Sequence, residues 1–593
     1  MARIILLLIC SFFFFLDPAD GNVDDSDGVD HMADVHPLLL APRNLPGVRL
    51  RILPKAINYL NKIAANLLAE QLPRLVIPDV QHFLPNDQGA IYISHVRLSR
   101  FRRAAYHNIS TSAPNKISWT MQNLDLGLIG DLSGSVNIVV PINLTGQVEI
   151  MAEGLTFHLE SSIEKGDNGS GKVTSLSCMT TIRELTVTNH NGGLFGLAVQ
   201  VFKQGVSDNV RQLLQGIICK KVRKYIDEDA NEKLHEAQTT SRLADALASN
   251  SLNMFNDAAQ KAAKIDLSTI FDPNITSQFF IDFRLKEQPI CAVNSVELAS
   301  WGEISYQGMG NTPFGPVDSS WPSITRARHD DNPMVELVVS DFLPNSLLYH
   351  TYTQNLIRVL LTPKTKGLES FLQTSCEGTF CLSDLAPQLA EQYPNSTIEL
   401  AVTATRAPAV LFSEKNRGTI SMSIGGLIVV FVVHEGRRKQ VMVVDMDVVA
   451  DAKLALSGNN VSGSVELRKF DLKKRIGNID ISDAEIDDIA LLVSKLAEEL
   501  LNSLLSKGLP LPLPRVLRIQ NSKVEVLSRR MHITVDVEID ERRLSRLAAK
   551  TFFKSPQFTP IVDTQRRMVR PMVSTDPRRP QLNLVDLNNW SVN

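Results

Sequence analysis

Twice in this chain an amphipathic helix runs into an apolar exit marked by prolines, and that repeat limits the available folds more than any other feature. The first copy reads GVRLRILPKAINYLNKIAANLLAEQLPRLVIPDV over 47–80, and the second reads DIALLVSKLAEELLNSLLSKGLPLPLPRVLRIQ over 488–520. Ile57, Leu60, Ala64, Leu67 and Leu68 recur at helical spacing in the first, as do Ile489, Leu492, Val493, Leu496, Leu500 and Leu504 in the second. Each stripe carries more apolar surface than a surface helix needs, so something large has to cover it. A neighbouring sheet is the plain cover, and a sheet with lipid in the gap is the sharper one.

The segments between the helices alternate as half-buried strands do. AIYISHVRL, SVNIVVPINL, QVEIMAEGLTFHL and ELTVTNH, separated by Gly, Asn, Asp and Pro, predict an antiparallel meander. A second long helix is expected over 194–236, with Val210, Leu214 and Ile217 on its apolar side, and an Ala-rich helical pattern over 238–264. Asp272-Pro273-Asn274 punctuates a change of domain. The plan then recurs: MVELVVSDFLPNSLLYHTYTQNLIRVLL turns from strand to helix with Leu347, Leu348, Tyr352 and Leu356 on it, strands follow, and the helix near 484–507 comes next. A last strand pair, VLRIQNSKVEVLS and RMHITVDVEI, closes the region by Glu541. With 593 residues, the chain exceeds what one hydrophobic core accommodates.

The first residues address the compartment. Arg3 precedes an apolar run from Ile4 to Leu16 that is short for a membrane span and ends in Asp17-Pro18-Ala19-Asp20-Gly21, which reads as a signal peptide. Sequons at Asn108, Asn143, Asn168, Asn274, Asn395, Asn460 and Asn589 agree with a secreted, extracellular glycoprotein and are expected at the surface. Beyond the signal, Cys178, Cys219, Cys291, Cys376 and Cys381 stand in an oxidising compartment, and an odd number leaves one thiol over. Cys376 and Cys381 can form a small local bridge, and Cys291 with either one is equally open from sequence. Residues 22–46 are acidic and small, and read as a mobile, solvated leader or propeptide. Asp30, His31, Asp34 and His36 within it carry no weight as a metal site, because a flexible segment has no second layer of partners to fix ligands.

Several function classes fall away. A net charge of -3, with no basic stripe interleaved with aromatics, disfavours nucleic acid as a partner. Gly166-Asp-Asn-Gly-Ser-Gly171-Lys172 has the spacing of a phosphate loop, but Val173 replaces the magnesium-holding hydroxyl, so it reads as a hairpin turn. There is no Gly-x-Ser-x-Gly elbow and no His-Glu-x-x-His pair, and the histidines stand singly. No catalytic residue, metal site or cofactor is expected.

The segment PGVRLRILPKAINYLNKIAANLLAEQLPRLVIPD resembles the opening of the bactericidal/permeability-increasing protein family, which includes lipopolysaccharide-binding protein and the phospholipid and cholesteryl ester transfer proteins. Pro46, Gly47, Val48, Arg51, Ile52, Leu68 and Pro78 stand at the family spacing, whereas Leu53, Ile57, Ile63 and Ala69 depart from it. MVELVVSDFLPNSLLY resembles the second-domain entry and GLPLPLPRVLRIQNSKV the closing segment. The resemblance implies an α+β fold of two tandem elongated barrels, each a twisted antiparallel sheet wrapped round a long helix, joined by a central sheet into a curved rod. It also implies a Cys178–Cys219 disulfide pinning the second helix to the first sheet.

Division of the chain follows: signal peptide 1–21, acidic leader 22–46, first barrel 47–237, helical linker and central sheet 238–334, second barrel 335–541, and a basic extension 542–593. Ile57, Leu60, Ala64, Leu67 and Leu68, then Val210, Leu214 and Ile217, then Leu347, Leu348, Tyr352 and Leu356, and last Leu492, Leu496 and Leu500 are expected to line lipid pockets. Exposing a diacyl lipid of about 30 methylenes costs on the order of 20 kcal/mol at roughly 0.8 kcal/mol per group, so a carrier has to bury most of each chain. Phospholipid or a related amphipathic lipid is the expected partner. Lipopolysaccharide is the alternative, and barrels simply packed with side chains, in a structural protein, are the second alternative. The expected tip loops, QHFLPNDQGA and GDLSGSVN, contain no Lys or Arg for lipid A phosphates. Basic clusters at Arg97, Arg100, Arg102 and Arg103, and at Lys220, Lys221, Arg223 and Lys224, read as solvated faces. The tail carries a net charge of about +6 and begins with ERRLSRLAAKTFFK, which reads equally as a helix for an anionic membrane surface or as a disordered extension.

Overall fold

The computed structural model describes residues 34–71, 79–83, 89–137, 141–189, 211–212, 215–216, 218–220, 222–236, 240–243, 277–322, 332–365, 368–376, 381–458, 460–506, 509–510 and 517–552. The fold is α+β, with long antiparallel sheets and few helices. The α-helices are α1 (Pro54–Gln71), α2 (Asn231–Glu236, continuing a π turn at Tyr225–Ala230), α3 (Phe342–Thr353), α4 (Pro387–Gln392), α5 (Asp483–Ser506) and α6 (Glu541–Phe552). α5 starts where a capping box allows: the Ser482 hydroxyl accepts from Glu485 N, and the Glu485 carboxylate accepts from Ser482 N.

A six-stranded sheet sits at the centre, in the order 290–292, 295–300, 48–52, 335–340, 530–539, 517–527. Its strands alternate. Val48, Leu50, Leu337, Val339, Ile533 and Val535 face a core shared with Leu343, Leu347 and Leu348 of α3. On the other face Arg51 lies in register with Glu297 on one side and Glu336 on the other, and it pairs with both, at 3.1 and 3.3 Å. The Arg51 guanidinium stacks 4.0 Å from the Trp321 ring centre, and Trp321 Nε1 donates to Glu297.

This sheet redraws the expected boundaries. It takes Val48–Ile52 from the expected first barrel and Leu517–Ile539 from the expected second, instead of lying within 238–334. The described part of the leader is also packed rather than solvated. Val35 and Leu39 are buried with Phe314, Phe342 and Ala409, Tyr352 donates to Asp34 Oδ2, and His36 Nδ1 accepts from Leu38 N. The chain passes so close to Gly315 that a Cβ there would meet Pro42 O at 2.5 Å. Asp34 and His36 therefore have structural partners; Asp30 and His31 lie outside the described residues.

Two larger sheets flank the centre. The first runs 80–83, 89–102, 116–137, 141–165, 171–181, with 106–112 and 184–189 alongside. The second runs 358–361, 397–404, 419–434, 437–457, 460–477, 509–510, with 409–413 alongside. Register shifts, for example at Ser94/Arg97, Met121/Leu124 and Val449/Ala450, bend these strands and let strands of up to 25 residues coil. Neither path of described strands closes on itself; one long edge of each is met by a helix.

Three local expectations change. Thr240–Arg242 is a strand paired with Phe279–Asp282, not the start of an Ala-rich helix, and 244–276 lie outside the described residues. SVNIVVPINL spans the end of one strand and the start of the next, because Asn137 pairs with Pro141. GDLSGSVN is strand rather than tip loop, paired on both sides. The tail begins as the helix α6, while 553–593 and the signal segment 1–21 lie outside the described residues.

Candidate functional site

Each large sheet has one long edge that would leave backbone groups unpaired, and in both halves a helix covers it with the same device. Asn231 at the head of α2 accepts from Val173 N at 2.8 Å and donates to Val173 O at 2.7 Å, while Asp227, four residues earlier, accepts from Ser175 N at 2.7 Å. In the other half Asn502 of α5 accepts from Val465 N and donates to Val465 O, both at 2.8 Å, while Glu498, again four residues earlier, accepts from Leu467 N at 3.0 Å. An Asn amide has the donor and acceptor of a peptide group, so it stands in for the next strand, and the carboxylate one turn away reaches the next inward-pointing N–H. Helix and edge strand run in opposite directions. In the first half the Cys178–Cys219 disulfide adds a covalent tie to the same edge strand, from a helical residue ahead of the π turn, with Cα atoms 5.7 Å apart. Asn502→Ala is expected to cost about 2 kcal/mol in chemical unfolding, because it orphans a donor and an acceptor of the edge; a loss below a few tenths would show that the edge is satisfied without α5.

Held in this way, the helices cover apolar floors. Between α1 and the first sheet lies a cavity of about 280 Å³, near the low end of the roughly 300–1,000 Å³ of typical ligand sites. Its floor is Phe101, Met121 and Leu124, of which the last two are buried. Lys62, Asn66 and Arg103 form its exposed mouth, and His107 is half-buried in its wall. α1 is fixed over this space from its root, where Lys55 pairs with Asp536 at 2.7 Å and Tyr59 OH accepts from Ile539 N. α6 packs beside it, with Glu541 accepting from Asn66 Nδ2 at 3.2 Å.

In the second sheet, Ile420, Met422, Ala452 and Leu454 join the central core at one end, and Val430, Val432, Met446 and Leu472 form a separate packed cluster at the other. Between them, the inward-facing pairs Ile424/Val448 and Ala450/Leu467 belong to neither cluster and stay partly exposed. α5 crosses at this level, since Glu498 binds Leu467.

Residues 273–539 match the family described as LBP / BPI / CETP family, C-terminal domain. Similarity runs beyond that domain: the chain is 23% identical to the bactericidal permeability-increasing protein of Sebastes schlegelii over 83% of its own length and 95% of that protein. Residues 273–539 are thus similar to the C-terminal domain of that family, and the chain resembles whole members beyond it. Other LBP / BPI / CETP relatives include the phospholipid transfer protein of Homo sapiens, 20% identical over 72% of this chain and 77% of that one. The crystal structure of lipopolysaccharide binding protein superposes with a TM-score of 0.46 at 18% identity, covering 84% of this chain and 99% of that one.

The residues expected to line pockets distribute unevenly. On α1, Ile57 is buried, and Leu60 and Ala64 are half-buried. Leu492 is half-buried on α5. The side chains of Leu67, Leu68, Leu496 and Leu500, and Val210, Leu214 and Ile217 altogether, lie outside the described residues. Leu347 and Leu348 are 2% exposed in the central core, and Leu356 is packed against the same core. Tyr352 points its hydroxyl to Asp34 and to Thr405 O. These four are thus core and clamp residues, because α3 is buried in the core it shares with the central sheet and is tied to Val410 of the second flanking sheet through Asn345.

Sequence reasoning overlooked the polar mouth. Lys62 and Asn66 share the flank of α1 at i and i+4, which was a visible signal, whereas Arg103 had been grouped with a solvated cluster. Only Arg102 of that cluster meets a described carboxylate, Asp125 at 3.3 Å.

Cys376 pairs with Cys381, which leaves Cys291 as a buried thiol, 1% exposed on the central sheet. Cys376, Cys381 and Asp384 form the one cluster of metal-ligand type among the described residues, but sulfurs bonded to each other offer no thiolate. Of the sequons, Asn143, Asn168, Asn395 and Asn460 are exposed. Asn108, expected at the surface, is half-buried in a strand opposite Thr120, and Asn274 and Asn589 lie outside the described residues. Among the described residues no helix is long and apolar enough to cross a membrane.

Proposed function

We propose that this protein is a secreted, glycosylated carrier that sequesters or transfers phospholipid-like molecules without catalysis, with acyl chains entering between helix and sheet in each half. The observation that carries this reading is the cavity under α1, whose floor is apolar and whose mouth is cationic. That polarity suits one amphipathic molecule lying tail-inward. The partly exposed rows Ile424/Val448 and Ala450/Leu467 supply a matching floor in the second half. Relatives named for lipopolysaccharide binding and for phospholipid transfer support an amphipathic lipid.

Native mass spectrometry of the secreted, deglycosylated protein, followed by organic extraction, tests the reading. At least one phospholipid per chain is expected to be carried through purification. A stably folded chain that stays lipid-free even after incubation with phospholipid vesicles would overturn it in favour of packed sheets.

A further inference from the structure

We infer that the mouth of the cavity under α1 is a subsite for the headgroup of a net-anionic, hydroxyl-bearing phospholipid such as a phosphatidylglycerol, with Lys62 and Arg103 taking the phosphate. The inference rests on the lipid-carrier reading and names its preferred cargo.

Charge is the first argument. Lys55, Arg102 and Lys116 on the surrounding elements each meet a carboxylate, at 2.7, 3.3 and 3.0 Å. Lys62 and Arg103 meet none among the described residues, although both line the same small space. A zwitterionic headgroup brings its own cation and leaves one of two flanking protein cations uncompensated, whereas a net-anionic headgroup does not. Arg in addition presents a planar fork that matches phosphate oxygens.

The wall supplies the second argument. Asn61 Nδ2 donates to His107 O at 3.1 Å, so the Asn61 amide oxygen is the group that faces His107 Nδ1, also at 3.1 Å, and it accepts from an Nδ1–H. That bond sets the tautomer. Nε2 then remains as an acceptor on a ring that lines the cavity. An acceptor beside two cations suits a headgroup hydroxyl and offers nothing to a quaternary ammonium.

Approach is the third. α6 is joined to the mouth through Glu541 and Asn66, and its next residues, Arg542, Arg543 and Arg546, are exposed. Arg543 is paired with Asp540, and Arg542 and Arg546 outnumber the Glu541 carboxylate at this end of α6, a net positive charge that draws the mouth toward an anionic bilayer.

The test is competitive loading of the full secreted chain from vesicles holding equal amounts of phosphatidylglycerol and phosphatidylcholine with identical acyl chains, read by mass spectrometry of extracted lipid. Wild type is expected to carry about tenfold more of the glycerol lipid, the ratio that one charge-assisted contact confers. Lys62→Gln with Arg103→Gln is expected to bring the ratio near unity through loss of the bound glycerol lipid, at unchanged melting. Lys62→Arg with Arg103→Lys is expected to keep the preference.

Equal loading by wild type would overturn the headgroup subsite while leaving the carrier reading intact; absence of both lipids would overturn the carrier reading itself. A preference that survives the double Gln variant would remove Lys62 and Arg103 from the site. Millimolar inorganic phosphate is expected to leave the wild-type ratio unchanged, because the acyl chains hold the headgroup in place. Its erasing the preference would mean that the site takes free anions instead of lipid.

Discussion

Replacing Arg529 by Met is expected to lower stability by about 3–5 kcal/mol at pH 8, and by much less at pH 5. Arg529 lies in the turn between the last two central strands, and its guanidinium reaches Asp341 Oδ2 at 2.5 Å and Leu38 O at 2.5 Å. Asp341, ahead of α3, is 1% exposed. One side chain therefore joins the leader, the central sheet and the helix of the main core. Burial pushes the Asp341 carboxyl up from 3.8 to about 6 even with the guanidinium beside it, and removing Arg529 takes away what opposes that rise.

A carboxyl raised in the folded state stabilises the fold fully below its unfolded value and loses that contribution as pH rises through the folded value. For the wild type the window is about 4 to 6; for the variant it extends higher. His350, which burial lowers to about 4, is present in both proteins and cancels in the difference. Denaturant unfolding at pH 5 and pH 8 should thus show a deficit that widens with pH, and adding Asp341→Asn should recover most of it at pH 8. A deficit independent of pH would mean that packing, not the buried charge, sets the cost.

Cys178→Ser is expected to cost about 2–5 kcal/mol under oxidising conditions. The bond closes a separation of 41 residues between an edge strand and a helical residue ahead of the π turn. The Asn231 and Asp227 contacts remain in the variant, so the first half should keep its fold but open its edge more often. Faster amide exchange along Gly171–Thr181, with little change along the equivalent strand Asn460–Gly477, is the accompanying signature. The same transition in wild type and variant would exclude a stabilising role for the disulfide.

How far the residues could be read in advance depended on how local the information was. The stripes of α1 and α5, the capping box at Ser482 and the alternation of Arg437–Ser457 are written within one or two turns or a few strand residues, and these elements lie where periodicity places them. The turn at Gly166–Gly171 is a hairpin connection, as its glycines suggest. The leader misled because a segment rich in Asp has the composition of solvated chain, yet Val35 and Leu39 find a preformed apolar seat on Phe314 and Phe342. Leu347 and Leu348 misled differently: their apolar character was read correctly, but the sheet they face is central. Asn231 and Asn502 look like ordinary polar helix residues until an unpaired strand edge is placed opposite them.

The sequence by itself determined the element types, their duplication in two halves and the apolar faces that need cover, since a helix or strand expresses its amphipathic period without reference to the rest of the chain. Tertiary structure alone decided that Val48–Ile52 lies between 295–300 and 335–340, that a polar side chain of each covering helix completes a sheet edge, and that Lys62 of α1 meets Arg103 from a strand end across one cavity. Such pairings join residues far apart along the chain. Their register follows from the simultaneous burial of many faces, and no local pattern encodes how much space is left between two covered surfaces.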